Sequence, residues 1–184
     1  MILPITQYGD PVLRQMCTDI TPEYPNLKQL IANMFETMYN ASGVGIAAPQ
    51  IGLPIRLFVV DAEAMDEENL KGFKRVYINA KITEEQGEKW AYNEGCLSIP
   101  GIREDVSRKE QITITYFDEN FVKHTEVYNA KIARVVQHEY DHIEGKLFVD
   151  YLSPLKREML KARLTNITKG RADVDYKIKI PKLK

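Results

Sequence analysis

The sequence runs to 184 residues, a length that fits one domain, and its apolar fraction of 44% suffices for a globular core. Its longest strongly hydrophobic run, Leu57-Phe58-Val59-Val60, falls far short of the roughly 20 apolar residues that cross a bilayer as a helix, so no membrane partner is expected. Net charge is −1 but uneven: from Ser153 onward ten Lys or Arg face three acids, leaving +7 there and −8 elsewhere, a pattern of basic segments that meet nucleic acid or another acidic surface.

Met1-Ile2-Leu3-Pro4-Ile5 has no basic leader, so no signal peptide is read there and the expected compartment is cytoplasmic. Asp10-Pro11 opens a helix, with Asp as cap and Pro in the first helical position. Cys17 reads as a small buried hydrophobe; with Cys96 the only other cysteine, no disulfide framework is possible, and both are expected as thiols. Asn26 and Gln29 have the spacing of a reciprocal cap. Leu27, Leu30, Ile31, Met34, Phe35, Met38 and Tyr39 then trace one helical face, which reads as core packing. That helix should stop near Ser42-Gly43. Gly43 to Gln50 is too rich in Gly, Ala and Pro for a good helix or strand and reads as a tight connection that lets another backbone come close.

Ile55 to Val60 is expected as a buried strand, and Asp61 to Asn69 as an acidic loop. Val76 to Ile82 alternates as a strand, with Gln86-Gly87 turning it back. Ile112 to Phe117 and Phe121 to Tyr128 form an antiparallel pair across Asp118-Glu119-Asn120. A helix is expected from about Asn129, an extended apolar segment from Lys146 to Leu152, and a last helix from Ser153-Pro154 to near Gly170. The tail alternates Val174, Tyr176, Ile178 and Ile180 with charges, as an added edge strand or a disordered basic arm would.

The chemistry centres on Gln137-His138-Glu139-Tyr140-Asp141-His142-Ile143-Glu144-Gly145. In a helix, residues four apart share a face, so His138 and His142 can grip one metal ion, with Glu139 beside them as base. A hydrolytic metal takes three protein ligands and leaves one position for water. A third histidine in the metzincin position would fall at Phe148. Glu158 sits in a basic run that suits a surface ion pair, and His124 lies on a polar strand. Cys96, in Glu94-Gly95-Cys96-Leu97-Ser98, is the better candidate, because thiolate is a strong ligand for a borderline-soft ion. Two other readings stay open on the residues alone. One is a zincin-like metallopeptidase that cleaves internal peptide bonds. The other is a non-catalytic RNA-binding protein with a structural metal.

Three stretches together resemble the peptide deformylases: Gly43-Val44-Gly45-Ile46-Ala47-Ala48-Pro49-Gln50, Glu94-Gly95-Cys96-Leu97-Ser98 and Gln137-His138-Glu139-Tyr140-Asp141-His142. The chain departs at Ile46 and Ile143, where leucine is usual, and at Glu144, where aspartate is common. The resemblance implies an α+β fold with antiparallel β-sheets around a central motif-bearing helix. It also implies a single catalytic domain over residues 1–170, including the C-terminal helix 153–170, followed by a basic tail over 171–184. The ion would be held by Cys96, His138 and His142, with Fe2+ the expected ion in the cell and Zn2+, Ni2+ or Co2+ possible. The implied reaction removes the formyl group from N-formyl-methionyl peptides. Glu139 would move the proton, while the Leu97 N–H and the Gln50 amide would meet the oxyanion. Val44, Gly45 and Gly95 would pair with the peptide backbone, and Val44, Tyr92 and Val135 would line a methionine pocket. Arg103 would hold the peptide from the other side, and Glu94 with Arg108 would steady the Cys96 strand. A monomer that docks on the ribosome through the basic C-terminal segment completes the expectation.

Overall fold

The computed structural model describes residues 1–66 and 70–181. In chain order come β1 (Ile5–Thr6), a 3-10 turn (Pro11–Arg14), α1 (Leu27–Asn40), β2 (Gly45–Ala47), a 3-10 turn (Ala48–Ile51), β3 (Leu57–Asp61) and a 3-10 turn (Glu63–Met65). They are followed by β4 (Lys74–Cys96), β5 (Ile99–Phe117), β6 (Lys123–Asn129), α2 (Ala130–Ile143), a 3-10 turn (Phe148–Tyr151), α3 (Pro154–Thr168) and β7 (Ile178–Lys179). The α+β expectation holds. Strands β2 to β6 form one antiparallel sheet in the order of the chain, and β1 pairs with β7 in a separate parallel pair.

Side-chain capping starts two of the helical elements. The Asp10 carboxylate accepts the Val12 N–H at 3.0 Å and starts the first turn, and the Ser153 hydroxyl accepts the Lys156 N–H at 3.3 Å to start α3. Helix α1 buries Leu27, Ile31, Met34, Phe35 and Met38, as their spacing requires. Its expected reciprocal cap does not form. Asn26 sits in the left-handed region at φ 54° with no side-chain cap bond, and the Gln29 amide donates instead to Asn33 Oδ1 at 3.0 Å. A cap residue accepts from the first turn when its backbone is extended, and Asn26 is not.

The larger correction concerns β4. Gln86-Gly87 does not turn the chain; β4 runs through it as a single strand of 23 residues. The register slips between Gln86 and Lys89, so Gly87, at φ +76°, belongs to a bulge. A Cβ on Gly87 would strike the Glu110 side chain across the ladder. The reversal comes later, at Leu97-Ser98, with Cys96 paired to Ile99. Thus β4 and β5 make one long hairpin whose tip carries the cysteine.

The small-residue stretch is also more regular than expected. Gly45, Ile46 and Ala47 pair antiparallel with Val60, Val59 and Phe58 and form the edge of the sheet. Against this sheet lies α2, in contact with β2, β3 and β5. Its Ala133, Val135, Val136 and Ile143 join Phe58, Val60, Tyr77, Ile112 and Ile114 in one apolar cluster. A second cluster joins α1 to Ile46, Leu57, Val59 and Ile78. A third packs Leu160, Leu164 and Ile167 of α3 against Ile99, Ile102 and Phe148 near the hairpin tip.

Residues 146–152, expected to be extended, tighten into the turn Phe148–Tyr151, with Phe148 and Val149 buried. Gly170 ends the last helical region at φ +69°. Of the two expectations for the tail, the edge strand is observed: Ile178 pairs with Ile5 and Lys179 with Thr6. Residues 67–69 of the expected acidic loop and 182–184 of the expected tail lie outside the described residues. Among the described residues no helix is long and apolar enough to cross a membrane.

Candidate metal centre

Helical spacing places His138 and His142 on one face of α2, ring centroids 5.2 Å apart and nearly perpendicular. The hairpin tip brings Cys96 to the same face. Its Sγ lies 3.3 Å from His142 Nε2, and the ligand atoms of Cys96, His138 and His142 all fall within 4.8 Å of one another. A tetrahedral ion with metal–sulfur bonds near 2.3 Å and metal–nitrogen bonds near 2.0–2.1 Å sets sulfur and nitrogen roughly 3.6 Å apart. The donor set therefore fits one ion in both spacing and chemistry. Glu158 instead pairs with Lys161 at 3.3 Å, and His124 pairs with Asp118 at 2.9 Å, away from the centre. Cys17 is buried, and desolvation pushes its thiol up to about 11.

A buried charge network orients the first imidazole. His138 Nδ1 bonds Glu94 Oε2 at 2.9 Å, which leaves Nε2 turned toward the sulfur. Glu94 also accepts Arg108 Nε at 2.7 Å, Arg108 Nη2 at 3.0 Å and Arg134 Nη1 at 3.0 Å. Arg108 reaches on to Asp141 at 2.6 Å, and the Tyr151 hydroxyl donates to Asp141 at 2.9 Å. Burial alone would raise the Glu94 carboxyl, but its bonds from His138 and Arg108 outweigh that and hold it well below the usual carboxylate range. Burial likewise opposes charge on His138, yet Cys96 and Glu94 outweigh it and raise its pKa. The same electron-rich surroundings attract a metal cation. His142 is held neutral chiefly by burial, then by the positive field of its neighbours. An imidazole must be neutral to ligate.

The expected Glu94–Arg108 pair is thus present, and the sequence reading missed Arg134 and Asp141. Arg134 stands four residues before His138, on the same helical face, a usable signal hidden by the apolar run around it. Its guanidinium lies 4.6 Å from the Trp90 ring centroid and donates to the Trp90 and Val106 carbonyls. Asp141 sits inside the motif itself, on the side facing Arg108.

Glu139 is buried, and its Oε2 has no hydrogen-bond partner. Burial raises its carboxyl to about 7, with His138 pulling it down and Glu94 pushing it up. Only a glycine opposite leaves it room, since a Cβ on Gly45 would fall 2.5 Å from Glu139 Oε1. The Gln50 amide nitrogen is 3.5 Å from Cys96 Sγ and 3.3 Å from Ser98 Oγ, while its Oε1 accepts the Ala47 N–H at 2.8 Å. That bond fixes which end of the amide points at the sulfur.

A cleft of about 630 Å³ opens beside the centre, lined by Val44, Tyr92, Gly95, Cys96, Leu97, Arg103, Val135 and His138 among others. Gly45, Gln50, Glu139 and His142 are not among its lining residues. The Val44 C=O, expected to pair with a peptide, is already taken by the Asp61 N–H at 2.9 Å, which corrects that expectation. Antiparallel alternation therefore turns the groups of Gly45 toward the open edge of the sheet. Arg103 bonds the Asn93 side chain and carbonyl at 2.8 Å each and lies across Gly95, where a Cβ would meet its Nη1 at 2.7 Å.

Comparison with known proteins finds relatives over nearly the whole chain. Residues 2–158 match the family model described as polypeptide deformylase. The chain is 59% identical to the peptide deformylase of Flavobacterium johnsoniae, covering 97% of this chain and 96% of that one. It is 55% identical to that of Christiangramia forsetii, covering 100% and 98%. Among solved structures, the peptide deformylase of Thermus thermophilus superposes with a TM-score of 0.83 at 39% identity, over 92% of this chain and 99% of that one. That of Plasmodium falciparum gives 0.82 at 34% identity, over 90% and 95%. On full-length similarity of sequence and fold alike, the chain belongs to the polypeptide deformylase family.

Proposed function

We propose that Cys96, His138 and His142 hold one divalent cation, and that this centre carries the family's reaction, the hydrolysis of an N-terminal formyl-methionyl amide to formate and a free amine. The carrying observation is the β4 sulfur 3.3 Å from His142 Nε2, on the helical face that also presents His138. The mixed sulfur and nitrogen donor set suits Fe2+, the ion proposed in the cell, and also Zn2+, Ni2+ or Co2+. When bound, the cation supplies Lewis acidity, polarising the formyl oxygen and making water a better proton donor.

The chain's own groups do the rest. Glu139 accepts the proton of the attacking water and returns it to the departing amine, a task suited to a buried carboxyl with a free oxygen. The Leu97 N–H and the Gln50 amide donate to the oxyanion as it forms. The extended peptide pairs with the outward backbone of Gly45 and with Gly95, while Val44, Tyr92 and Val135 enclose the methionine side chain. Arg103 closes the opposite wall. The catalytic unit is read as residues 1–170 with 171–184 appended, acting as a cytoplasmic monomer.

Metal analysis beside a formyl-methionyl tripeptide assay tests this assignment. Cys96→Ala should lose the ion; a full complement would move the third ligand elsewhere and favour the metallopeptidase reading. Glu139→Gln should keep the ion and lose turnover; unchanged turnover would remove the proton role. For the ribosome partner, α3 leaves Lys156, Arg157, Lys161 and Arg163 exposed while Leu160 and Leu164 are buried. The charge reversal Arg157→Glu should weaken ribosome binding in a salt-dependent manner, and equal binding would exclude the docking role.

A further inference from the structure

The family match ends at residue 158, yet the chain beyond it returns to the cleft. Asp173, Val174, Asp175 and Tyr176 line the cavity that Cys96 and His138 share. The return is anchored. The Ile5 N–H donates to the Lys177 carbonyl at 2.8 Å and the Gln7 N–H to the Lys179 carbonyl at 3.0 Å, clamping β7 against β1. In the tail's alternating pattern Val174, Tyr176 and Ile178 are half-buried while Asp173, Asp175, Lys177 and Lys179 are exposed. The clamp delivers Tyr176 to the hairpin tip, where its hydroxyl donates to the Leu97 carbonyl at 2.8 Å. Both residues also pack against the same apolar cluster.

Other bonds reach the tip alongside its apolar packing. The Gln7 amide reaches the Leu97 carbonyl at 3.4 Å, the Tyr8 N–H donates to the Ser98 carbonyl at 2.8 Å, and Gln50 reaches Ser98 Oγ at 3.3 Å. The Leu97 carbonyl and the Leu97 N–H belong to adjacent peptide planes, and the second of these planes starts at Cys96. Rotation of one tilts the other. We infer that Tyr176 is a positioning residue: through the Leu97 carbonyl it sets the attitude of the turn that presents the Cys96 sulfur and the Leu97 N–H. The C-terminal tail is then a working wall of the cleft. This inference rests on the assignment of Cys96 and Leu97 made above.

The test is Tyr176→Phe, which keeps the ring and removes only the donor, in the full chain loaded with Co2+. A lost hydrogen bond of ordinary strength corresponds to roughly a three- to tenfold change. The expected result is a fall of that size in kcat with KM unchanged, accompanied by a shifted thiolate-to-cobalt charge-transfer band. A full-chain Val174→Ala variant, which thins the wall and keeps the Tyr176 donor, should raise KM and leave the band in place. Wild-type kcat and an unmoved band in Tyr176→Phe would overturn the inference, even if its melting temperature fell. The assignment of Cys96 fails separately: the wild-type protein itself would then lack the thiolate band.

Discussion

Replacing Gly45 with alanine tests whether Glu139 acts from a fixed place. The new Cβ would sit 2.5 Å from Glu139 Oε1, 2.7 Å from its Cγ and 2.8 Å from its Cδ, whereas ordinary contact begins at 3.4 Å. The carboxyl must therefore withdraw by about 0.6–0.9 Å. Neither partner yields easily. Gly45 is tied into the β2–β3 ladder opposite Val60, and Glu139 is carried by a helix packed on that sheet. Gly45 has no positive φ, so alanine itself is not strained there. Overpacking of this kind costs about 1–3 kcal/mol of stability, and misplacing a reacting group by about 1 Å can cost about 100-fold in rate. Gly45→Ala should therefore fold, keep its ion by metal analysis, and lose about 100-fold in kcat on a formyl-methionyl tripeptide. Wild-type kcat with a full complement of metal would refute the claim that this contact positions Glu139.

Three further outcomes are expected. Arg108→Met leaves Glu94 and Asp141 buried with one cation fewer, which should cost about 3–5 kcal/mol in urea unfolding of the apo protein; a loss under about 1 kcal/mol would show that the network is not sealed from water. The thiol of Cys17 is raised from 9.0 to about 11, chiefly by burial. Stability should thus be full below pH 9 and decline as pH climbs through 9 toward 11; a Cys17→Ala chain with the same alkaline slope would assign that decline to another group. If the bound ion is ferrous, activity should fade in air as iron or thiolate oxidises, and nickel loading should slow the loss. Identical decay with both ions would point away from oxidation at the centre.

The helix-borne half of the candidate site was legible because its period is short. His138, Glu139 and His142 declare themselves within five positions, and the apolar residues before them mark the buried face. Cys96 was legible by chemistry, as the one soft group in a distinctive setting. The hairpin was not. From Glu84 to Glu88 every side chain is exposed, so the alternation that marks a half-buried strand is missing, and Gln86-Gly87 looks like a turn. The true reversal at Leu97-Ser98 carries neither glycine nor proline within it. Its geometry is fixed by long-range bonds from Tyr176, Tyr8 and Gln50, which local sequence cannot show. Arg134 was hidden for a related reason. Its neighbours are apolar, and only the fold reveals that Glu94 and two backbone carbonyls satisfy its charge.

Because the β4–β5 hairpin meets α2 at its tip, an ion caught between that tip and α2 would work as a rivet as well as a reagent. It would tie two segments far apart in sequence, as a crosslink does, yet a chelator could undo it without breaking a covalent bond. Heat resistance would then track free metal concentration, and the first part of the protein to loosen on stripping would be the finger that carries its own sulfur.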